Sequence, residues 1–416
     1  MSKFKRFLRW TILLMLVPVL GWTGANLLGY MRLQGALRSL REAGFRTNVQ
    51  DLGPPRVAPE ENAAPLYEAS LALLTMPEKG SRPLVWKAVK EGLQDLTETQ
   101  IRELRALVQG NAEALALATR ARGRRGARFA TSYHSGAVLN VPSQDRLFHL
   151  VEYLSLWASF ATADGKPEDA REAVRDIVAL VEALRLESYV TCQGIRVWGL
   201  ECTASTIARS VSGTTAPADL RAWLEILPKE EAAKGIAELA TRYWIANTAE
   251  FLEREPENIW TVWDQCDFRR PSGFPLWILQ PAMKLDGARC LALLQRSAEY
   301  CEKPYKEAKP VIEELKREHK DSYSGWLHPV TRCWFSDWFF DSRVKAQALI
   351  ATTRAGLECE IARHESGHYP EKLDTLDPFT GIPLVYKPDQ GLILSVGPDG
   401  REDTPVDNIV WKLRQR

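Results

Sequence analysis

An uncharged stretch of 22 residues, Trp10 to Met31, follows directly on Lys3, Lys5, Arg6 and Arg9. As a helix rising about 1.5 Å per residue it is long enough to cross the ~30 Å hydrocarbon core of a bilayer. No other feature restricts the chain as much, because everything downstream must then hang from one end of a membrane span. A secretory signal has a shorter apolar region, about 7–15 residues, followed by a small-residue cleavage site. Thr23–Ala25 fits such a site, so export with cleavage is the alternative. Trp10, Trp22 and Tyr30 fall where interfacial aromatics are expected. The four basic residues direct the amino terminus to the cytoplasm, while Arg32, Arg38 and Arg41 oppose them. The expectation is a single pass through the cell membrane, N-in, with the body outside the cytoplasm.

The chain has 416 residues, 45% hydrophobic and 26% charged, which is the composition of a folded protein and not of a disordered one. A net charge of +1 argues against a nucleic-acid partner, which would need an unbalanced basic surface. The seven cysteines are 192, 202, 266, 290, 301, 333 and 359. An odd number at wide, irregular spacing is neither a disulfide framework nor a CxxC metal site, so buried core thiols are expected.

From Glu60 to Ser342 apolar residues recur at helical spacing, without a sustained period of two. Asn62 is placed to cap a helix carrying Pro65 in its first turn, and Thr97 with Gln100 reads as a capping box. Residues 146–163 and 168–186 flank Gly165 and Pro167, the signature of an αα-hairpin. Ala170, Val174, Ile177, Val181 and Leu184 form its buried stripe, and a further helix is expected over Tyr189–Val211. Residues 254–281 break the pattern with four prolines among five large aromatics and are expected to form a long loop covering the core. A second aromatic cluster, Trp326 to Phe340, leads into the last helix and is expected to pack it on the body.

His364–His368 spells HExxH, the zinc-peptidase pattern. That chemistry needs both histidines on one continuous helix, with the glutamate acting on a zinc-bound water. Gly367 lies inside the motif and Pro370 shortly after it, so the helix is expected to stop by Gly367 and leave His368 off the face of His364. Phosphate-loop, dinucleotide and GxSxG nucleophile patterns are missing from the sequence. His134, His149, His319 and His328 stand alone among polar or helical neighbours and read as surface or core-edge residues.

The tail is the most specific part of the chain. A helix from about Arg343 runs into Gly367–Pro370, then Asp377–Pro383, Ser395–Gly400 and finally Asp407–Trp411. Residues 343–413 resemble the C-terminal part of the major pseudopilin of type II secretion systems, and the tails of uncharacterised membrane-anchored envelope proteins. In that family a helix runs into a G-x-Y-P turn, a D-P-x-G-x-P-x-Y segment and an S-x-G-x-D-G loop. The resemblance implies a cell-envelope setting, one long helix on a short antiparallel sheet, and calcium in the last loop. Residues 383–387, 392–396 and 409–413 are the candidate strands. Asp399 matches the family's aspartate, and Asp403, Asp407 and Asn408 would complete an oxygen-rich set of the kind calcium prefers. Two features depart from the family: Glu402–Pro405 replaces its glycine-rich stretch, and one closing acid appears here as Asn408. The processing site that precedes the family's span is also missing, so polymerisation through that helix is not expected.

The fold expected is mainly α: a stub and transmembrane helix over 1–33, a linker over 34–59, a helical body over 60–342, and a small α+β pseudopilin-like module over 343–416. The function expected is that of a non-enzymatic, membrane-anchored envelope scaffold with protein partners. The alternative is a membrane-anchored exported hydrolase.

Overall fold

The computed structural model describes residues 2–78, 80–124, 126–129, 142–211, 215–254, 278, 280–321, 338–404 and 408–413. Its first element, α1, runs unbroken from Ser2 to Glu42. At 41 residues it is about 60 Å long. The segment Arg9–Glu42 contains a stretch long and apolar enough to cross a membrane.

The two halves of α1 have opposite surroundings. Phe7, Trp10, Leu13 to Val17, Val19 and Leu20 are exposed, Leu14 by 72%. Beyond Asn26 the helix enters the body, packing along α11 (Gln280–Tyr300) and beside α10 (Ile236–Arg254). Leu33, Leu37 and Leu40 recur every three or four residues and are buried against Ile245, Leu252, Met283 and Leu291. Gly29 permits the first close approach, since a Cβ there would stand 2.9 Å from the Pro281 carbonyl oxygen. Lys284 Nζ donates to Asn26 Oδ1 at 2.8 Å beside it.

The linker expected over 34–59 therefore gives way, over its first part, to packed structure. Residues 34–42 continue α1. Val49 opens a short 3-10 turn, is fully buried, and donates its N–H to Glu250 Oε2 at 2.8 Å. The leucine stripe that docks the helix begins just past Arg32, where the apolar run ends but helical periodicity does not.

The body carries further helices: α2 Ala64–Leu73, α3 Arg82–Glu91, α4 Glu98–Gly110, α5 Ala112–Ala121, α6 Pro142–Ala163, α7 Pro167–Ala183, α8 Val190–Ser210 and α9 Pro217–Ile226. Several sequence signals act as expected. Thr97 and Gln100 form a reciprocal capping box at the start of α4. Gly165, at φ +69°, turns α6 back into α7, and the stripe from Ala170 to Leu184 is buried. Asn62 departs from its expected role: Ala63 holds the cap position of α2 without a side-chain cap. Asn62 instead accepts from Ala64 N and bonds both backbone groups of Arg128, tying the chain before α2 to the segment after α5.

After α12 (Tyr305–Asp321) the last helix, α13, spans Trp338–Ser366. It begins ahead of the boundary expected at 343 and packs against α8, α9 and α10 on one side and the sheet on the other. Enclosure buries polar as well as apolar positions of this helix, among them Ser342, Arg343, Thr352 and Glu360, which hides its period. The sheet has strands β1 (Val385–Lys387), β2 (Leu392–Ser395) and β3 (Ile409–Lys412) in the order β1-β2-β3, all antiparallel. Val385 pairs with Leu394, and Ile393 with Trp411. Leu384, Ile393, Trp411 and Leu413 join the same core as the body, so the tail does not stand apart from it.

The five described cysteines are free and buried. Burial pushes the thiols of Cys301 and Cys359 up to about 12, which makes them core residues without nucleophilic character at neutral pH. Cys266 and Cys333, residues 255–277 of the aromatic loop, His134, His328 and most of the second aromatic cluster lie outside the described residues.

Candidate functional site

The tail signature is held together by one buried carboxylate. Asp377 is 1% exposed and accepts three hydrogen bonds of 2.9 Å, from Phe379 N, Ser395 Oγ and Val396 N. The backbone of Asp377 closes the loop that follows, with Asp377 N to Ile382 O and Gly381 N to Asp377 O both at 2.7 Å. Gly381 takes φ +71°, open to glycine at no steric cost. The Asp377–Pro383 and Ser395–Gly400 motifs are thus two halves of one bonded unit. Phe379 then anchors it to the body through Tyr305, at 5.0 Å between ring centres.

The Gly367–Pro370 turn is fixed from two sides. Tyr369 Oη donates to Glu360 Oε1 at 2.9 Å, and Tyr386 Oη to the Pro370 carbonyl at 2.7 Å. α13 ends at Ser366, Gly367 takes φ +82°, and its N–H closes on Arg363 O. His368 lies beyond that end, exposed, with Nδ1 3.2 Å from the Tyr369 carbonyl oxygen. Glu365 pairs with Arg221 of α9 at the surface. The HExxH letters therefore do not share one helical face.

The expected calcium set is only partly on view. Asp399 is fully exposed; the hydroxyl of Thr404 and the N–H of Arg401, 2.9 Å from Oδ1, hold its carboxyl below the usual carboxylate range. Asp403 is exposed, and Asn408 Nδ2 donates to Glu402 O at 2.7 Å. Asp407 lies outside the described residues. Two lysines reach the same loop, Lys309 to the Pro398 carbonyl and Lys387 to Glu402. Among the described residues no group of three or more His, Cys, Asp or Glu is gathered to hold a metal.

His149 corrects the reading of isolated histidines. It is 3% exposed on α6, with Nδ1 2.6 Å from Glu152 Oε2 one turn on. The i, i+3 spacing with Glu152 was the available signal. His319 is also buried, and that burial lowers its pKa.

Clefts open at several places among the described residues, and three of them are lined by neither histidine nor cysteine. One, about 400 Å³, is lined by Tyr67 and Ala127 and by Glu182, Ala183, Arg185 and Leu186. A second, about 300 Å³, has Val108, Leu115, Trp157 and Phe160 at its floor. Arg105 and Asp164 close its rim with a two-pronged ion pair of 2.7 and 2.9 Å. Comparison with family models, curated proteins and solved structures finds no match.

Proposed function

We propose that the chain is a non-enzymatic, single-pass protein of the cell envelope, whose helical body is held rigidly at the outer face of the membrane for protein partners. The observation that carries this reading is the continuity of α1. Phe7, Trp10 and Leu13 to Val17 in its first half are exposed, while Leu33, Leu37 and Leu40 build its other half into the core. A helix docked in this way transmits position and tilt from membrane to body, as a flexible linker would not. Lys284 and Pro281 at the start of α11 touch Asn26 and Gly29, so the body would sit against the lipid headgroups.

The second cleft supports partner binding, because an apolar floor of Val108, Leu115, Trp157 and Phe160 with a paired charge at its rim offers a surface for a protein side chain. The resemblance of the tail sequence to a pseudopilin module supports the envelope setting, and the two motifs that carry it meet at Asp377. We propose calcium as the cation of the last loop, with Asp399, Asp403, Asp407 and Asn408 as donors. Lys309 and Lys387 compete for the same negative charge, so an affinity of about 10⁻⁴–10⁻³ M is expected, as in extracellular modules. Crosslinking in envelope membranes, followed by capture of the full chain, tests the function. Defined protein partners are expected, and a peptidase activity lost in Glu365→Gln would overturn the reading.

A further inference from the structure

Residues 120–128 hold five arginines and no acid, although the whole chain carries a net charge of only +1. Arg125 lies outside the described residues, while Arg120, Arg124 and Arg128 are exposed. The turn that carries them follows α5 and is fixed to the segment before α2. Ala63 N donates to Gly126 O at 2.7 Å, and Gly126 N donates to Glu61 O at 3.2 Å. Val57 packs on the same glycine, where a Cβ would stand 3.2 Å from its methyl carbons. The fold therefore sets the path of this turn before any partner arrives, which lowers the ordering cost of binding.

The first cleft opens beside this turn. Its charged lining residues are Arg122, Arg124, Arg185 and Glu182, three positive charges against one negative. Arg122 is already committed to the fold: it pairs with Glu172 and with Asp176, the latter at 3.1 Å, and so ties the end of α5 to α7. Arg124 forms no ion pair among the described residues. Neither do Arg56, Arg120 and Arg128, each next in sequence to a lining residue. The side chain of Arg185 is 64% exposed and meets Glu182 only at 3.7 Å, beyond hydrogen-bond reach. Pro54, Pro55, Val57 and Ala183 supply an apolar wall, with Leu186 beside Arg185 56% exposed. Accessible cations and an accessible apolar side chain thus share one opening.

We infer that this cleft binds an acidic peptide segment of a protein partner, with carboxylates on Arg124 and Arg185 and an apolar side chain against Leu186 and the proline pair. A guanidinium presents a planar fork that a carboxylate meets with two parallel bonds, and arginine clusters are a recurrent means of reading acidic motifs. The apolar wall favours a peptide of mixed side chains over a uniformly charged polymer. The inference rests on the reading of the chain as a partner-binding protein and adds the partner's chemistry and its place on the body.

The test uses the full-length protein in nanodiscs of neutral lipid and the fluorescence anisotropy of a rhodamine-labelled peptide of alternating glutamate and leucine. The peptide is expected to bind saturably and more weakly as sodium chloride is raised. The same peptide with glutamine in place of glutamate is expected not to bind. Replacing both cations, Arg124→Ala with Arg185→Ala, should weaken binding about tenfold, the effect of two exposed ion pairs. Both side chains are exposed and Arg122 is left intact, so Tm should match the parent. Arg102→Ala, an exposed arginine of α4 away from the lining, should leave binding unchanged. Equal losses in Arg102→Ala and in the double variant, or none in either, would overturn the site. Polyglutamate or heparin binding as tightly as the peptide, with Leu186→Ser without effect, would make this a general polyanion surface and overturn the assignment to a peptide. Should the peptide fail to bind while crosslinking still captures protein partners, this inference falls and the proposed function stands.

Discussion

The indole of Trp411 on β3 lies directly over Gly356 of α13, so close that a Cβ at Gly356 would stand 2.2 Å from Trp411 Cδ2. No side chain fits between them, and the sheet comes down onto the helix at this point because residue 356 has none. Gly356→Ala is expected to destabilise the protein by about 1–3 kcal/mol through overpacking. Trp411→Ala should cost about 3–5 kcal/mol through the cavity it leaves. In the double variant the added methyl meets open space, so the two effects should be strongly non-additive. Urea denaturation of the four proteins measures the coupling, and additive costs would contradict the packing described.

Asp377 should be the most sensitive polar position of the tail. Asn at this position keeps one carbonyl oxygen and turns an amide N–H₂ toward a backbone N–H or the Ser395 hydroxyl, so at least one charged bond is lost. A bond to a charged group is worth about 1.5–3 kcal/mol, and Asp377→Asn is expected to lower stability by about that much. Ser395→Ala, which leaves both backbone donors paired, should cost only about 1 kcal/mol. Urea midpoints in the reverse order would remove Asp377 from its central place.

A pH dependence follows from Asp176 on α7. Burial pushes its carboxyl up to about 6, against the opposing pull of the Thr119 hydroxyl and the Arg122 guanidinium. Between about pH 4 and pH 6 the folded chain keeps a proton that the unfolded chain has released, so this group's contribution to stability falls as pH rises through that window and stays low above it. The loss is on the order of 2–3 kcal/mol. Asp176→Asn can still accept from Thr119 and does not titrate. The difference in stability between variant and parent should therefore grow in the variant's favour from pH 4 to pH 6 and level off above. Parallel curves would show that Asp176 does not titrate in that range.

Calcium tests the last loop. A ligand at a hundredfold excess over its Kd stabilises the folded state by about 2.7 kcal/mol. Calcium at such a concentration should raise the Tm of the full chain, and magnesium, which requires a tighter octahedral site, should raise it less. Asp399→Ala should abolish the response. Asp389→Ala, on the turn between β1 and β2, should leave it intact. A melting curve indifferent to both calcium and chelator would assign the neutralising role to Lys309 and Lys387 instead.

Local pattern made part of this structure legible. The span, the capping box at Thr97, the hairpin at Gly165 and the three strands all announce themselves within a few residues, where helical or alternating period and turn chemistry act. The continuation of α1 into the core was harder to see, because Arg32 ends the apolar run while the Leu33–Leu37–Leu40 stripe carries the helix on. α13 gave a helix but not its role, since enclosure by α8 to α10 and the sheet buries polar positions such as Arg343, Thr352 and Glu360 beside apolar ones and leaves no clean period. The links from Asp377 to Ser395 and from Trp411 to Gly356 join residues 18 or more positions apart. Such pairings leave no periodic trace in a single sequence.

The central claim is that α1 crosses the membrane and carries its body outside the cytoplasm as one rigid piece. Protease digestion of intact spheroplasts, followed by mass mapping of the protected fragments, tests it most directly. The account predicts that the body from about residue 43 onward is cut, while a fragment covering Ser2 to about Ala25 survives in the membrane fraction. A body left intact while an exported control protein is digested, or a mature terminus near Asn26 with no membrane-retained fragment, would contradict it.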